Sequence, residues 1–193
     1  MKTELEVKFF PIKKNVIRKL LKTLGARLKQ PETLIKRIVY DKRTNPQIQA
    51  TYLRVRDEGE NVRVSLKINA TKYGKISDQK ELDYIVSNFN DAKRLFDSIG
   101  LISNAYQENY RETWCFKNSE IVIDTWPSLD SYLEIESPNK EELKEIVKKL
   151  DLKWKEKKIV SVDELYAQKY TLTKEQALQA ISYCTFKKPP KFS

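Results

Sequence analysis

Charged side chains recur at every second position through a series of short segments whose intervening positions are apolar. Glu4, Glu6 and Lys8 interleave with Leu5, Val7 and Phe9; Arg54 and Arg56 with Leu53 and Val55; Arg63, Ser65 and Lys67 with Val62, Val64 and Leu66. Further along, Glu81 and Asp83 alternate with Leu82 and Tyr84, Arg111 opposes Tyr110, Asp124 opposes Ile121 and Ile123, and Glu134 and Glu136 oppose Leu133 and Ile135. Residues two apart on a β-strand share a face, so each segment predicts a strand with one charged and one apolar side. One such strand would mean only a half-buried antiparallel strand with a wet face. Here the charged faces are rich in arginine and paired carboxylates instead of Ser, Thr, Asn and Gln, and the pattern repeats from strand to strand. With the apolar faces turned outward under helices, the charged faces would line a lumen carrying both signs.

A buried cation needs a partner. Lys8, Arg54, Arg56, Arg63, Lys67 and Arg111 together suit a polyphosphate, because arginine forks match phosphate oxygens and lysine acts as a point charge. The carboxylates Glu4, Glu6, Asp124, Glu134 and Glu136 would repel that ligand unless a hard divalent cation stood between them, and oxygen donors suit Mg²⁺ or Mn²⁺. The chain has 37 Lys+Arg against 27 Asp+Glu, a net charge of +10, which also raises the expectation of a nucleic-acid partner. Cations gathered beside carboxylates on strand faces favour a compact polyphosphate with a cation over a long polymer, and nucleic acid is disfavoured. The sequence has no histidine, which removes Ser-His and Cys-His nucleophile systems and imidazole acid-base catalysis. Cys115 and Cys184 are far apart, fit no ligand or redox spacing, and read as two reduced thiols.

The expected strands are Thr3 to Phe9, Leu34 to Arg43, Gln49 to Arg56, Val62 to Ile68, Gln79 to Ser87, Ala105 to Lys117, Glu120 to Trp126 and Ser131 to Ser137. This predicts an α+β fold, an eight-stranded antiparallel β-barrel with helices packed on the outside. Helical spacing covers Asn15 to Leu24, with a stripe of Val16, Leu20, Leu21 and Leu24, and Asp91 to Ile99, with a stripe of Ala92, Leu95, Phe96 and Ile99. Gly25 and Gly100 follow these helices, and Gly59 and Gly74 fall between strands, so no glycine is left for a phosphate-cradling loop. Asn139 with Glu142, Ser161 with Glu164 and Thr173 with Gln176 read as helix starts. A domain over residues 1–170 is followed at 171–193 by a helix and a basic tail, and Lys187 to Lys191 reads as unfolded. No apolar run is long enough to cross a bilayer and the amino terminus lacks a signal-peptide core, so a cytoplasmic protein without membrane contact is expected, as monomer or homodimer.

Glu4-Leu5-Glu6-Val7-Lys8 resembles the Glu-x-Glu-x-Lys signature of the CYTH superfamily, the triphosphate tunnel metalloenzymes, which includes class IV adenylyl cyclases and thiamine and inorganic triphosphatases. The resemblance continues in family order through Leu53-Arg54-Val55-Arg56, Ser65-Leu66-Lys67, Lys80-Glu81-Leu82-Asp83, Tyr110-Arg111, Asp124 and Tyr132-Leu133-Glu134-Ile135-Glu136. It implies an eight-stranded tunnel, a linear triphosphate substrate and dependence on Mg²⁺ or Mn²⁺. By the same resemblance Glu4, Glu6, Asp124, Glu134 and Glu136 would hold metal, the lumen cations would hold phosphates, and Glu81 and Asp83 would support them. Glu4, Glu6, Lys8, Arg56, Lys67 and Arg111 would carry catalysis. Two departures stand out: Leu129-Asp130 replaces a Leu-Gly turn, which puts the left-handed residue at Asp130, and Asn109 replaces a lysine two positions before Arg111. The expected activity is hydrolysis of an inorganic, nucleoside or thiamine triphosphate, with cyclisation of ATP to cyclic AMP and pyrophosphate as the alternative and non-catalytic polyphosphate or nucleic-acid binding as the second. Tyr132, Trp126, Tyr166 and Tyr170 are the aromatic side chains that could stack an adenine.

Overall fold

Alternating segments become strands wherever one face can be covered, and in the computed structural model nearly all of them do. The structure describes residues 2–3, 5–41, 43–47, 52–69 and 79–192, with the backbone alone at 2, 3, 68, 69 and 79–81. In chain order the strands are β1 Lys2–Thr3, β2 Leu5–Phe9, β3 Arg27–Asp41, β4 Tyr52–Asp57, β5 Val62–Asn69, β6 Gln79–Val86, β7 Ala105–Phe116, β8 Ser119–Thr125, β9 Tyr132–Ser137 and β10 Tyr183–Cys184. They form one sheet in the order β1-β6-β5-β4-β3-β7-β8-β9-β2, with β10 beside β7. The amino-terminal segment joins the two ends of this order: Thr3 pairs with Lys80 on β6, while Glu6 and Lys8 pair with Glu136 and Glu134 on β9. Counting β1 and β2 as one strand leaves eight antiparallel strands in a curled sheet, with β10 as a short parallel addition.

Among the described residues five α-helices accompany the sheet: α1 Lys14–Leu24, α2 Phe89–Ser98, α3 Lys140–Lys149, α4 Val162–Tyr170 and α5 Lys174–Ala180. Helices α1 and α3 cover the outer faces of β2, β7, β8 and β9, where Ile17, Leu21, Leu143 and Ile146 pack on Val7, Trp114, Ile121, Ile123, Leu133 and Ile135. Helix α2 covers β3 to β5 through Ala92 and Phe96 against Ile38, Tyr40 and Val55. The apolar faces therefore point outward, as the alternation predicts. The starts of α3, α4 and α5 are capped by Asn139, Ser161 and Thr173, the last two as full capping boxes. Gly25 closes α1 at φ 78°, in the left-handed region where only glycine is unstrained.

Several expectations are corrected. On α2 the inward face is Phe89, Ala92 and Phe96, whereas Leu95 and Ile99 are 59% and 65% exposed. On α1 the buried pair is Ile17 and Leu21, and Val16 faces solvent. Strand β3 begins at Arg27 instead of Leu34, because two register irregularities near Gln30 carry the pairing with β7 past Pro31. The left-handed residue of the turn before β9 is Ser128, at φ 60°, not Asp130. The carboxyl-terminal tail is packed, with Phe192 stacked on Tyr170 at 3.7 Å and the Pro190 carbonyl accepting from Ser128. Gln49 to Thr51 of the expected third strand, and Gly74, lie outside the described residues.

Leu143→Ala should destabilise the chain by about 2–5 kcal/mol, as expected for a fully buried leucine. Leu95→Ala should change stability by less than about 1 kcal/mol. Urea unfolding of the two variants checks the assignment of helix faces.

Candidate functional site

Residues directly opposite one another on neighbouring strands share a face, so the pairing register places the charged side chains of the inner wall. Arg63, Arg56, Arg37 and Gln107 lie in one cross-strand row over β5, β4, β3 and β7. Arg54, Ser65 and Asp83 form a second, and Arg111, Asp124 and Tyr132 a third. Lys8 faces Glu134, and Glu6 faces Glu136, across β2 and β9. The inner wall thus gathers Glu6, Lys8, Arg54, Arg56, Arg63, Lys67, Asp83, Arg111, Asp124, Glu134 and Glu136, as expected from their alternation. Glu4 lies outside the described residues, as does the side chain of Glu81, whose backbone pairs with Lys67.

Most of these charges are compensated within the wall. Arg111 holds Asp124 by both oxygens, from Nε at 2.9 Å and Nη2 at 2.6 Å, and Asn109 donates to the same carboxylate at 2.8 Å. Lys8 stands between Glu6 and Glu134, with 3.0 Å to the latter. Glu58, at the end of β4, pairs with Arg56 and with Arg63 at 3.2 Å, and Ser65 Oγ donates to Asp83 at 2.5 Å. Burial would push the Glu134 carboxyl up, but Lys8 and Arg111 outweigh it and hold the group well below the usual carboxylate range. Burial would lower Arg111, and Asp124 outweighs it to hold the guanidinium fully charged.

Arg37 is a site residue that alternation does not single out. Its same-face neighbours on β3, Ile35 and Val39, are apolar, so the segment shows no charged face in the sequence. The side chain is 7% exposed, donates to the Asn109 side-chain oxygen, and lies over the Trp126 ring at 4.6 Å. Burial first, and then repulsion from Arg54, Arg56 and Arg111, pushes it down to about 9. Asn109, which costs the wall a lysine, is thus the polar contact through which Arg37 meets the Arg111–Asp124 pair. Glu58 was likewise not foreseen, since it falls in a turn beyond the alternating segment.

Among the described residues no three carboxylates come together in one metal-binding group. Asp124 is committed to Arg111 and Asn109, which leaves Glu6, Glu134 and Glu136 as the neighbouring acids. These donors are all oxygen, the kind that a hard divalent ion takes, but Glu6 and Glu134 both hold Lys8 and the three do not converge as one metal-binding group among the described residues.

The model of the CYTH domain family matches residues 2–165. The chain belongs to the CYTH family. Solved structures share this fold at low identity. A conserved hypothetical protein from Pyrococcus furiosus is 19% identical, with a TM-score of 0.68 over 84% of this chain and 99% of that one. A Vibrio parahaemolyticus protein provisionally described as an adenylate cyclase is 12% identical, with a TM-score of 0.69 over 86% and 98%. A Hippeastrum protein, provisionally described as an adenylyl cyclase with a dominant triphosphatase activity, is 13% identical, with a TM-score of 0.55 over 90% and 97%. No protein of curated function matches the sequence at a significant level. CYTH triphosphate tunnel proteins are in general metal-dependent and bind triphosphates, which accords with the charge set of this wall.

The depressed Glu134 carboxyl ties stability to pH with a definite sign. A carboxylate whose value falls on folding stabilises the native state above its unfolded value, near 4.3, and that contribution is lost as pH falls. Glu134→Gln should therefore cost about 3 kcal/mol at neutral pH. The gap from the parent should narrow below about pH 4. Denaturant midpoints of both proteins across the acid range check this.

Proposed function

We propose that this CYTH protein is a metal-dependent hydrolase that holds a linear triphosphate within the curled sheet and releases orthophosphate. The observation that carries the reading is the convergence of Lys8, Arg37, Arg54, Arg56, Arg63, Lys67 and Arg111 on one inner wall, where repulsion from Arg54, Arg56 and Arg111 adds to burial in weakening Arg37's hold on its proton. Arg37 stands beside other cations with a neutral partner, and a chain of phosphates would supply acceptors to several forks at once. Glu134 is in the field of Lys8, Arg111 and Lys67, while Arg37 is in the field of Arg54, Arg56 and Arg111. Arg111 therefore acts on both groups of charges.

In this arrangement Arg54, Arg56 and Arg63 bind and orient phosphate oxygens, and Arg111, fixed by Asp124, presents a rigid fork to the central one. Charge that develops on the transferred and leaving groups meets preorganised cations, which is the largest contribution such a wall can make. Mg²⁺ or Mn²⁺ held by Glu6, Glu134 and Glu136, with Glu4, would supply Lewis acidity and a nucleophilic water. Glu58 already sits on Arg56 and Arg63 as a carboxylate stand-in for a phosphate, and it must yield those forks when the ligand binds. The catalytic set we propose is Glu4, Glu6, Lys8, Arg56, Lys67 and Arg111, with Asp83 and Glu81 in support.

Hydrolysis is favoured over cyclisation of ATP by the state of the aromatic residues. Trp126, Tyr132 and Tyr166 are buried in one apolar cluster, and Tyr170 is stacked on Phe192, so all four candidate adenine platforms are engaged in packing. Among the described residues no helix is long and apolar enough to cross a membrane, and Cys115 and Cys184 are free thiols, which supports a cytoplasmic setting.

Purified protein supplied with Mg²⁺ or Mn²⁺ should release orthophosphate from inorganic triphosphate, ATP or thiamine triphosphate, and the relative rates name the substrate. Arg111→Ala should lower turnover by about 10²-fold or more with the fold retained. Formation of cyclic AMP and pyrophosphate from ATP would favour the cyclase reading, and no turnover of any triphosphate would remove the enzymatic one.

A further inference from the structure

The register of β7 shows how one end of the inner wall is closed. Strand β8 pairs with β7 only from Tyr110 onward, and β10 takes the vacated edge, setting Tyr183 against Tyr106 and Cys184 against Gln107. Cys184 therefore stands on the same face as Gln107, the inner one. Gln107 donates to the Ile181 carbonyl at 2.9 Å, linking the wall to the end of α5. Trp126 and Tyr132, which continue the inner faces of β8 and β9, are covered by Leu165, Tyr166, Ala177, Ile181 and Cys184. The space behind Trp126 is thus filled by α4, α5 and β10.

Arg37 lies directly before this plug, its guanidinium over the Trp126 ring. It differs from the other inner cations with defined ion pairs. Lys8, Arg56, Arg63 and Arg111 each meet a carboxylate, whereas Arg37 has a neutral partner, Asn109, and an aromatic face. Its Nε is buried and has no acceptor among the described residues. A guanidinium more than nine-tenths buried, with a donor unsatisfied, costs free energy that a bound anion would return.

We propose that Arg37 seats the terminal phosphate of the substrate, and that the plug behind it makes a free phosphate end a requirement for binding. This rests on the triphosphate reading above and adds a direction to it: the chain enters with its unesterified end foremost, and any ester lies away from Trp126. A phosphate bearing an ester on that end would have to displace the apolar cluster behind Trp126. A triphosphate esterified at one end keeps a free terminus and fits, whereas one esterified at both ends does not. Arg37 acts here as a specificity residue, reading the extra charge and the open oxygens of a terminal group.

Calorimetric titration in the presence of Ca²⁺, a hard divalent ion with oxygen ligands, with inorganic triphosphate, ATP and diadenosine triphosphate, which has no free end, tests this without relying on turnover. The first two should bind, and the third should bind at least 100-fold more weakly. Arg37→Ala should weaken inorganic triphosphate by 10-fold or more and narrow the gap to the doubly capped compound. Arg37→Lys, which keeps charge but loses the fork and is the gentler change if the alanine variant does not fold, should fall between. Urea unfolding of each variant verifies folding. Equal affinity for the doubly capped compound, or unchanged triphosphate binding by either folded variant, overturns the proposal. Absence of binding by all three compounds overturns the triphosphate reading itself, which separates the two failures.

Discussion

Everything in this molecule is arranged around like-charge repulsion on the inner wall of a curled sheet. Cations from β2, β3, β4, β5 and β7 face one another at close quarters, and each must find either a carboxylate or a ligand. The wall answers in two ways. Arg111 is tied to Asp124, Lys8 to Glu6 and Glu134, and Arg56 and Arg63 to Glu58. Among the described residues Arg37 has the Asn109 oxygen and the face of Trp126. The outer layers exist to make that arrangement tolerable, since Leu143, Ile146, Ile17 and Leu21 bury the opposite faces of the same strands and hold them in register.

Much of this follows from a simple alternation. The two-residue period that places Leu133 and Ile135 under α3 necessarily turns Glu134 inward, and the same rule turns Arg54, Arg56, Arg63 and Lys67 to one side. Strand faces, helix starts with side-chain caps, and the glycine that ends α1 were accordingly legible in the residues. Arg37 was not, because its same-face neighbours Ile35 and Val39 are apolar and nothing local marks the side as polar. Its surroundings come from three strands meeting, which a single segment cannot report.

The helix faces show a different limit. Leu95 and Ile99 fit a helical stripe with Ala92, yet they are exposed because α2 meets the sheet through Phe89 and Phe96, and the rotation of a short helix on a sheet is set by its bulkiest contacts. The tail is a third case. Lys187 to Lys191 is basic and proline-rich and reads as unfolded, but Phe192 beyond it stacks on Tyr170 and draws the segment against the domain. One aromatic residue outweighs the composition of the five before it.

We propose the inner wall of this CYTH protein as the place where a linear triphosphate binds. A crystal structure of the chain grown with inorganic triphosphate and Mn²⁺ is the decisive test. Phosphate density is expected along the wall, on Arg37, Arg111 and Lys8, with the metal beside Glu6, Glu134 and Glu136 and with Glu58 withdrawn from Arg56 and Arg63. Phosphate and metal density confined to the outer surface, with Arg37 and the ion pairs of the wall unchanged, would contradict it.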